Sequence, residues 1–223
     1  MLSTEGGDEY CSKALLLAPG TTYRRLNVPG EEDLIGTGIH FCATCDGPFY
    51  KGQEMIVVGG GDSGFQEGIF LTRFASKVTI LEFQDKLLAS KLLQEKAASH
   101  PQIEVRLNTT VEEFKGNGKL TSVVVKDVNT GGIDELRPGA VFIFIGLLPN
   151  TGFLRGSVDL DQWGSITDSP TLETSLLGVY AAGDARSGSA KQVASAVGEG
   201  ATAALMIRQF LEKTQGSRGY KGD

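Results

Sequence analysis

The chain is short of cysteine. Three cysteines among 223 residues are too few for a secreted disulfide scaffold. One working dithiol in a reducing cytosol suits them better, and a cytoplasmic protein is expected. No apolar run reaches about 18 residues, so no membrane span is expected. The start Met1-Leu2-Ser3-Thr4-Glu5 has no basic region and no apolar core, so it does not read as a signal peptide. Positive charge is also scarce. Twenty-one Lys and Arg against 27 Asp and Glu leave a net charge of −6. No basic patch argues for nucleic acid.

Glycine, by contrast, is abundant, at 30 residues. The glycines cluster at Gly59-Gly60-Gly61 and near Gly183, which points to backbone approaching ligands. A hydrophobic content of 40% against 22% charged residues is enough for a globular core.

The pattern predicts strands at Lys13–Ala18, Met55–Val58, Val78–Leu81, Ile103–Leu107, Ser122–Lys126, Ala140–Ile145 and Gly178–Ala182. It predicts helices over Asp62–Ala75, Lys91–Ser99 and Ser189–Leu211, and a polar, fraying tail from Gln215. Strands alternating with helices imply an α/β fold with a parallel sheet. The expected architecture is a Rossmann-like, three-layer nucleotide-binding domain over 41–149. It is inserted into a partial second domain formed by 1–40 and 150–223.

Gly59-Gly60-Gly61-Asp62-Ser63-Gly64 fits G-x-G-x-x-G between a strand and a helix. Gly59 makes the tight turn, Gly61 admits a pyrophosphate, and Gly64 lets helix and strand pack closely. The helix N-terminus then stabilises the phosphates. Glu82, 23 residues after Gly59 at the end of the next strand, is placed to accept hydrogen bonds from a ribose 2′-OH. Its negative charge favours NADH over NADPH.

Cys42-Ala43-Thr44-Cys45-Asp46-Gly47 carries the second signal. A C-x-x-C pair is redox-active, half of a zinc site, or structural. His40 and Cys11 are the residues that could complete a zinc set; otherwise Cys11 reads as an inert thiol. Asp46 is either a turn former before Gly47-Pro48 or the acid that thiol exchange requires. Near the C-terminus, an apolar strand ends in Gly183-Asp184, followed by Lys191-Gln192-Val193 and a long helix. Asp184 could bind polyol hydroxyls, or Gly-Asp could be an ordinary turn.

With these motifs, Ile145-Gly146-Leu147-Leu148-Pro149-Asn150 and Ala182-Gly183-Asp184, the chain resembles the low-molecular-weight thioredoxin reductase family over about residues 13–212. The resemblance implies a flavin-dependent disulfide reductase. NAD(P)H would reduce FAD, FAD the Cys42–Cys45 disulfide, and the dithiol a thioredoxin-like protein. It implies a homodimer whose two domains rotate so that dithiol and nicotinamide alternate at the flavin. Cys45 would face the flavin, Cys42 would attack the partner and Asp46 would be the acid. Asp184 would bind the ribityl region, with Gln192 and Val193 near the ring. Gly146, Asn150, Gly183 and Lys191 would complete the cofactor contacts.

Two departures stand out. No G-x-G-x-x-G precedes residue 59, so the flavin-binding part is incomplete in this sequence, which raises a truncated, non-catalytic nucleotide-binding or redox-regulatory protein as the alternative. Glu82-Phe83-Gln84 replaces the family's His-Arg-Arg, the basic patch that grips the 2′-phosphate of NADPH.

Overall fold

A computed structural model of the chain describes residues 1–216. In chain order the strands are β1 (Leu2–Ser3), β2 (Glu9–Tyr10), β3 (Leu15–Leu17), β4 (Thr21–Tyr23), β5 (Ile39–His40), β6 (Glu54–Val58), β7 (Lys77–Leu81) and β8 (Ile103–Arg106). They continue with β9 (Thr109–Gly116), β10 (Leu120–Asp127), β11 (Ile133–Leu136), β12 (Ala140–Ile143), β13 (Leu147–Pro149) and β14 (Val179–Ala181). The helices are α1 (Ala43–Asp46), α2 (Asp62–Leu71), α3 (Lys91–Ala98) and α4 (Val193–Gly216). Beyond Gly216 the expected polar tail lies outside the described residues. No helix among the described residues is long and apolar enough to cross a membrane.

The contacts divide the chain into two compact units. One is Tyr23–Gly146; the other joins Met1–Thr22 to the described residues from Leu147 onward. The sequence predicts boundaries after residues 40 and 149, and the structure moves them to 22 and 146. β5 is the main reason. Ile39 and His40 pair in parallel with Val141 and Phe142, so residues 23–40 belong to that sheet.

The larger unit is built on a five-stranded sheet in the order β5-β12-β6-β7-β8, parallel throughout. Alternation along β6 sends successive side chains to opposite faces. Met55 and Val57 meet Phe65 and Leu71 of α2 and Ala97 of α3. Ile56 and Val58 meet Phe114, Val123 and Val125. The last three come from an antiparallel sheet, β11-β10-β9, which forms the third layer.

Two of those strands, β9 and β11, are absent from the sequence prediction. A register shift between Val124 and Val125 puts the inward residues of β9, Val111 and Phe114, three positions apart. The shift breaks the period of two by which a half-buried strand is recognised. β11 is largely exposed and offers no apolar face to detect.

Helix ends also differ from prediction. α2 stops at Leu71 rather than Ala75, where the Thr72 hydroxyl donates to the Ile69 carbonyl at 2.7 Å. α4 starts at Val193 rather than Ser189, because Lys191 holds a left-handed φ of 56° that no helix accommodates.

In the smaller unit, β3 and β14 pair in parallel. α4 covers them with Ala203, Met206, Ile207 and Phe210, spaced as one helical face, against Leu172, Tyr180 and Ala182. Val193, Val197 and Leu205 of the same helix are exposed.

Candidate active site

Because the central sheet is parallel, β5, β6, β7 and β12 all end on one edge. β6 and β12 lie where the chain order reverses, the usual place for a ligand crevice in such a sheet. The dithiol segment follows β5, the glycine turn follows β6, and Glu82 follows β7.

Cys42 and Cys45 are joined in a disulfide, with their Cα atoms 5.3 Å apart. Cys42 is the N-cap of α1, and its Sγ accepts the N–H of Cys45 at 3.2 Å. Cys45 is exposed and Cys42 half-buried. Cys11, the other cysteine of the candidate zinc set, is an exposed free thiol of the smaller unit.

Asp46, directly after Cys45, faces His40: the carboxylate lies 3.3 Å from Nδ1. On the other side of the ring, Nε2 meets the Tyr50 hydroxyl at 2.8 Å. Burial holds the imidazole below its ordinary pKa, and the Asp46 carboxylate opposes that pull. Burial and then the same carboxylate push the Tyr50 hydroxyl up.

The glycine turn is tightly built. Gly59 has a φ of 127°, and a Cβ there would lie 2.4 Å from the Phe144 carbonyl oxygen. A Cβ on Gly64 would lie 1.9 Å from the carbonyl oxygen of Gly59, so α2 can approach the turn only with glycine. Gly61, the N-cap of α2, faces open space. The α2 N-terminus is therefore open to an anion, with Ser63 exposed beside it. Asp62 is committed elsewhere; its carboxylate accepts the N–H of Ser90 at 2.6 Å. Glu82 is 5% exposed and accepts the N–H of Gly60 at 2.7 Å and of Gln84 at 3.0 Å. Each oxygen keeps a lone pair for a further donor.

The smaller unit holds the second group of candidates. One carboxylate oxygen of Asp184 is buried and has no hydrogen-bond partner. An orphaned acceptor at the end of β14 is what a hydroxyl-bearing ligand would satisfy. Gly183 donates its N–H to Glu199 at 2.7 Å, and Lys191 Nζ bonds the Asp184 carbonyl. Gln192 and Val193 stand exposed at the start of α4. These groups fit the polyol and ring end of a flavin.

Comparison with known proteins decides the family. A family model described as pyridine nucleotide-disulphide oxidoreductase matches residues 2–200. The chain belongs to that family. It is 41% identical over 94% of its length to a thioredoxin reductase of Bacillus subtilis (strain 168), covering 67% of that protein. It is 39% identical over 95% of its length to a thioredoxin reductase of Treponema pallidum (strain Nichols), covering 69% of it. A crystal structure of thioredoxin reductase from Streptococcus pyogenes matches with a TM-score of 0.86 at 39% identity, over 90% of this chain and 66% of that one. The chain thus spans about two thirds of the thioredoxin reductases it matches. Family and relatives support the expected FAD- and nicotinamide-dependent disulfide reductase. The truncated, non-catalytic alternative is not favoured.

Within this family frame, the predicted residues fall into two sets. Cys42, Cys45, Asp46, Gly59, Gly61, Asp62, Ser63, Gly64, Glu82 and Gly146 lie in the larger unit, and Asn150, Gly183, Asp184, Lys191, Gln192 and Val193 in the smaller. Asn150 forms a bracket there. Its N–H bonds the Gly20 carbonyl, its amide Nδ2 donates to the Pro19 carbonyl, and Oδ1 accepts from Thr22. Gly146 has a φ of 111°, and its carbonyl accepts the N–H of Arg24 at 3.1 Å. His40 and Tyr50 are the additions. His40 is one of only two histidines, two residues before the dithiol, but nothing in the sequence shows that its ring turns toward Asp46.

Proposed function

We propose that this chain carries electrons from NAD(P)H, preferring NADH, through FAD and the Cys42–Cys45 disulfide to a thioredoxin-like protein. The observation that carries the reading is the Cys42–Cys45 disulfide, with Asp46 next in sequence, on the same sheet edge as an open glycine turn. The larger unit is the NAD(P)H-binding domain, and the smaller is part of the FAD-binding domain. The protein works as a cytoplasmic homodimer.

Bound FAD would supply a two-electron carrier between the nicotinamide and the disulfide. Asp184 would accept from its ribityl hydroxyls, Gln192 and Val193 would flank its ring, and Gly183 and Lys191 would hold the Asp184 backbone in place. Asn150 and Gly146 set the backbone nearby in each unit. Glu82 would take the ribose hydroxyl of NADH, and Gly59 to Gly64 the pyrophosphate.

Two electrons entering the S–S bond break it and leave two thiolates. Asp46 gives a proton to one of them. The N–H of Cys45, already aimed at Cys42 Sγ, stabilises charge there. Cys42 then attacks a disulfide sulfur of the partner protein, and Cys45 resolves the mixed disulfide. The internal disulfide re-forms, and the partner leaves as a dithiol once its second sulfur takes a proton from solvent.

The test is to reconstitute the purified chain with FAD and record its visible spectrum with NADH. A bound-flavin spectrum that bleaches, followed by reduction of a thioredoxin disulfide, is expected. Cys42→Ser and Cys45→Ser should each abolish disulfide reduction and leave NADH binding. A chain that stays colourless after reconstitution would overturn the proposal.

A further inference from the structure

His40 is 7% exposed, and a buried imidazole is costly unless both ring nitrogens are partnered. Here both are, and the partners form a line. Tyr50 Oη lies 2.8 Å from Nε2, and Nδ1 lies 3.3 Å from the Asp46 carboxylate. Tyr50, half-buried, ends the 3-10 turn Gly47–Tyr50 and forms the outer end. Asp46, next to Cys45 and partly exposed, forms the end nearest the disulfide.

Among the described residues, Asp46 is the charged group that acts on the ring. Asp46 from α1 and Tyr50 from the 3-10 turn are the titratable groups facing the ring, and β12 presents Phe142 at 5.5 Å between centroids. Phe41 carries its own cation, Arg25, 4.8 Å from its ring centre, and belongs to the opposite core face.

We propose that His40 is a positioning residue that orients the Asp46 carboxyl and refills it with protons from Tyr50 and solvent. The inference rests on Asp46 being the acid of the proposed reaction. Burial favours the neutral ring, which carries its proton on Nδ1 and accepts from the tyrosine hydroxyl at Nε2. When Asp46 protonates a leaving thiolate, the Nδ1 proton passes to the carboxylate. Nε2 takes the Tyr50 proton, and buffer restores the phenol. One proton moves from solvent to sulfur; Asp46 and Tyr50 return to their starting states, and the imidazole, now carrying its proton on Nε2, is reset to the Nδ1–H tautomer by proton exchange with buffer.

The test needs no flavin. Dithiothreitol reduces the Cys42–Cys45 disulfide of the intact chain across pH 5–9, and the rate is divided by the fraction of dithiothreitol present as thiolate. The wild-type value should stay level past neutrality. His40→Asn keeps a donor toward Asp46 but cannot relay. It should match wild type near pH 5 and fall about tenfold below it at pH 8, less than the roughly 10²–10⁴-fold of a complete acid–base contribution because Asp46 itself remains. Tyr50→Phe, which leaves the His40–Asp46 contact intact, should show the same pH-dependent loss, and it carries the test if His40→Asn does not fold.

A His40→Asn profile parallel to wild type, equal or uniformly slower, would reduce His40 to a packing residue. An Asp46→Asn profile identical to wild type would instead remove the acid itself, and with it the reading on which the relay stands.

Discussion

Replacing Glu82 with alanine tests the nucleotide site most directly. Its carboxylate is almost fully buried and accepts two backbone N–H groups, from Gly60 and Gln84. A hydrogen bond to a charged group contributes about 1.5–3 kcal/mol, so the pair accounts for about 3–6 kcal/mol gross. Water entering the vacated space returns part of that. The expected net destabilisation is about 2–4 kcal/mol. It would lower the melting temperature by about 5–15 °C. Loss of the ribose contact should weaken NADH about tenfold, or about 1.4 kcal/mol. Urea melts and an NADH fluorescence titration measure the two effects separately. A loss below about 1 kcal/mol with unchanged NADH affinity would refute both the anchoring and the ribose roles. The same geometry argues against Glu82→Arg as a specificity switch, since it would place a buried cation against two N–H donors.

Specificity should yield instead at the neighbours. Phe83 is 62% exposed, and Phe83→Arg with Gln84→Arg should raise NADPH affinity at least tenfold over wild type in the same titration, with the fold intact. Gly64→Ala should destabilise by more than about 3 kcal/mol and abolish nucleotide binding, because the new methyl group meets a carbonyl oxygen 1.9 Å away; a soluble, NADH-binding variant would contradict this. Glu104 is held below the ordinary carboxyl pKa by hydrogen bonds from Lys77 and then Arg106. Its stabilisation is complete above the unfolded-state carboxyl pKa and is lost as pH falls through the depressed folded value. Glu104→Gln should flatten the acid limb of the stability–pH curve by less than about 1 kcal/mol, since the group is partly exposed.

The sequence by itself determined the motifs and the class of the fold. The G-x-G-x-x-G turn, the C-x-x-C pair with its acid and the strand-ending Gly183-Asp184 are local. Each is written in consecutive residues, because the backbone there has to turn tightly or present a thiol or carboxylate. The apolar runs of β6, β7 and β12 are equally plain, since buried parallel strands are apolar on both faces.

Tertiary structure decided what depends on register and orientation. β9 and β11 escaped because a register shift breaks the period of one and exposure removes the apolar face of the other. The 22/23 boundary follows from β5 joining a strand about a hundred residues away in sequence. Glu82 looks free in sequence, yet its carboxylate is tied into the glycine turn it faces. Most of all, composition says only that a histidine precedes the dithiol. That His40 joins Tyr50 to Asp46 is set by the end of an edge strand and the turn packed against it, because a buried imidazole is stable only where both nitrogens find partners.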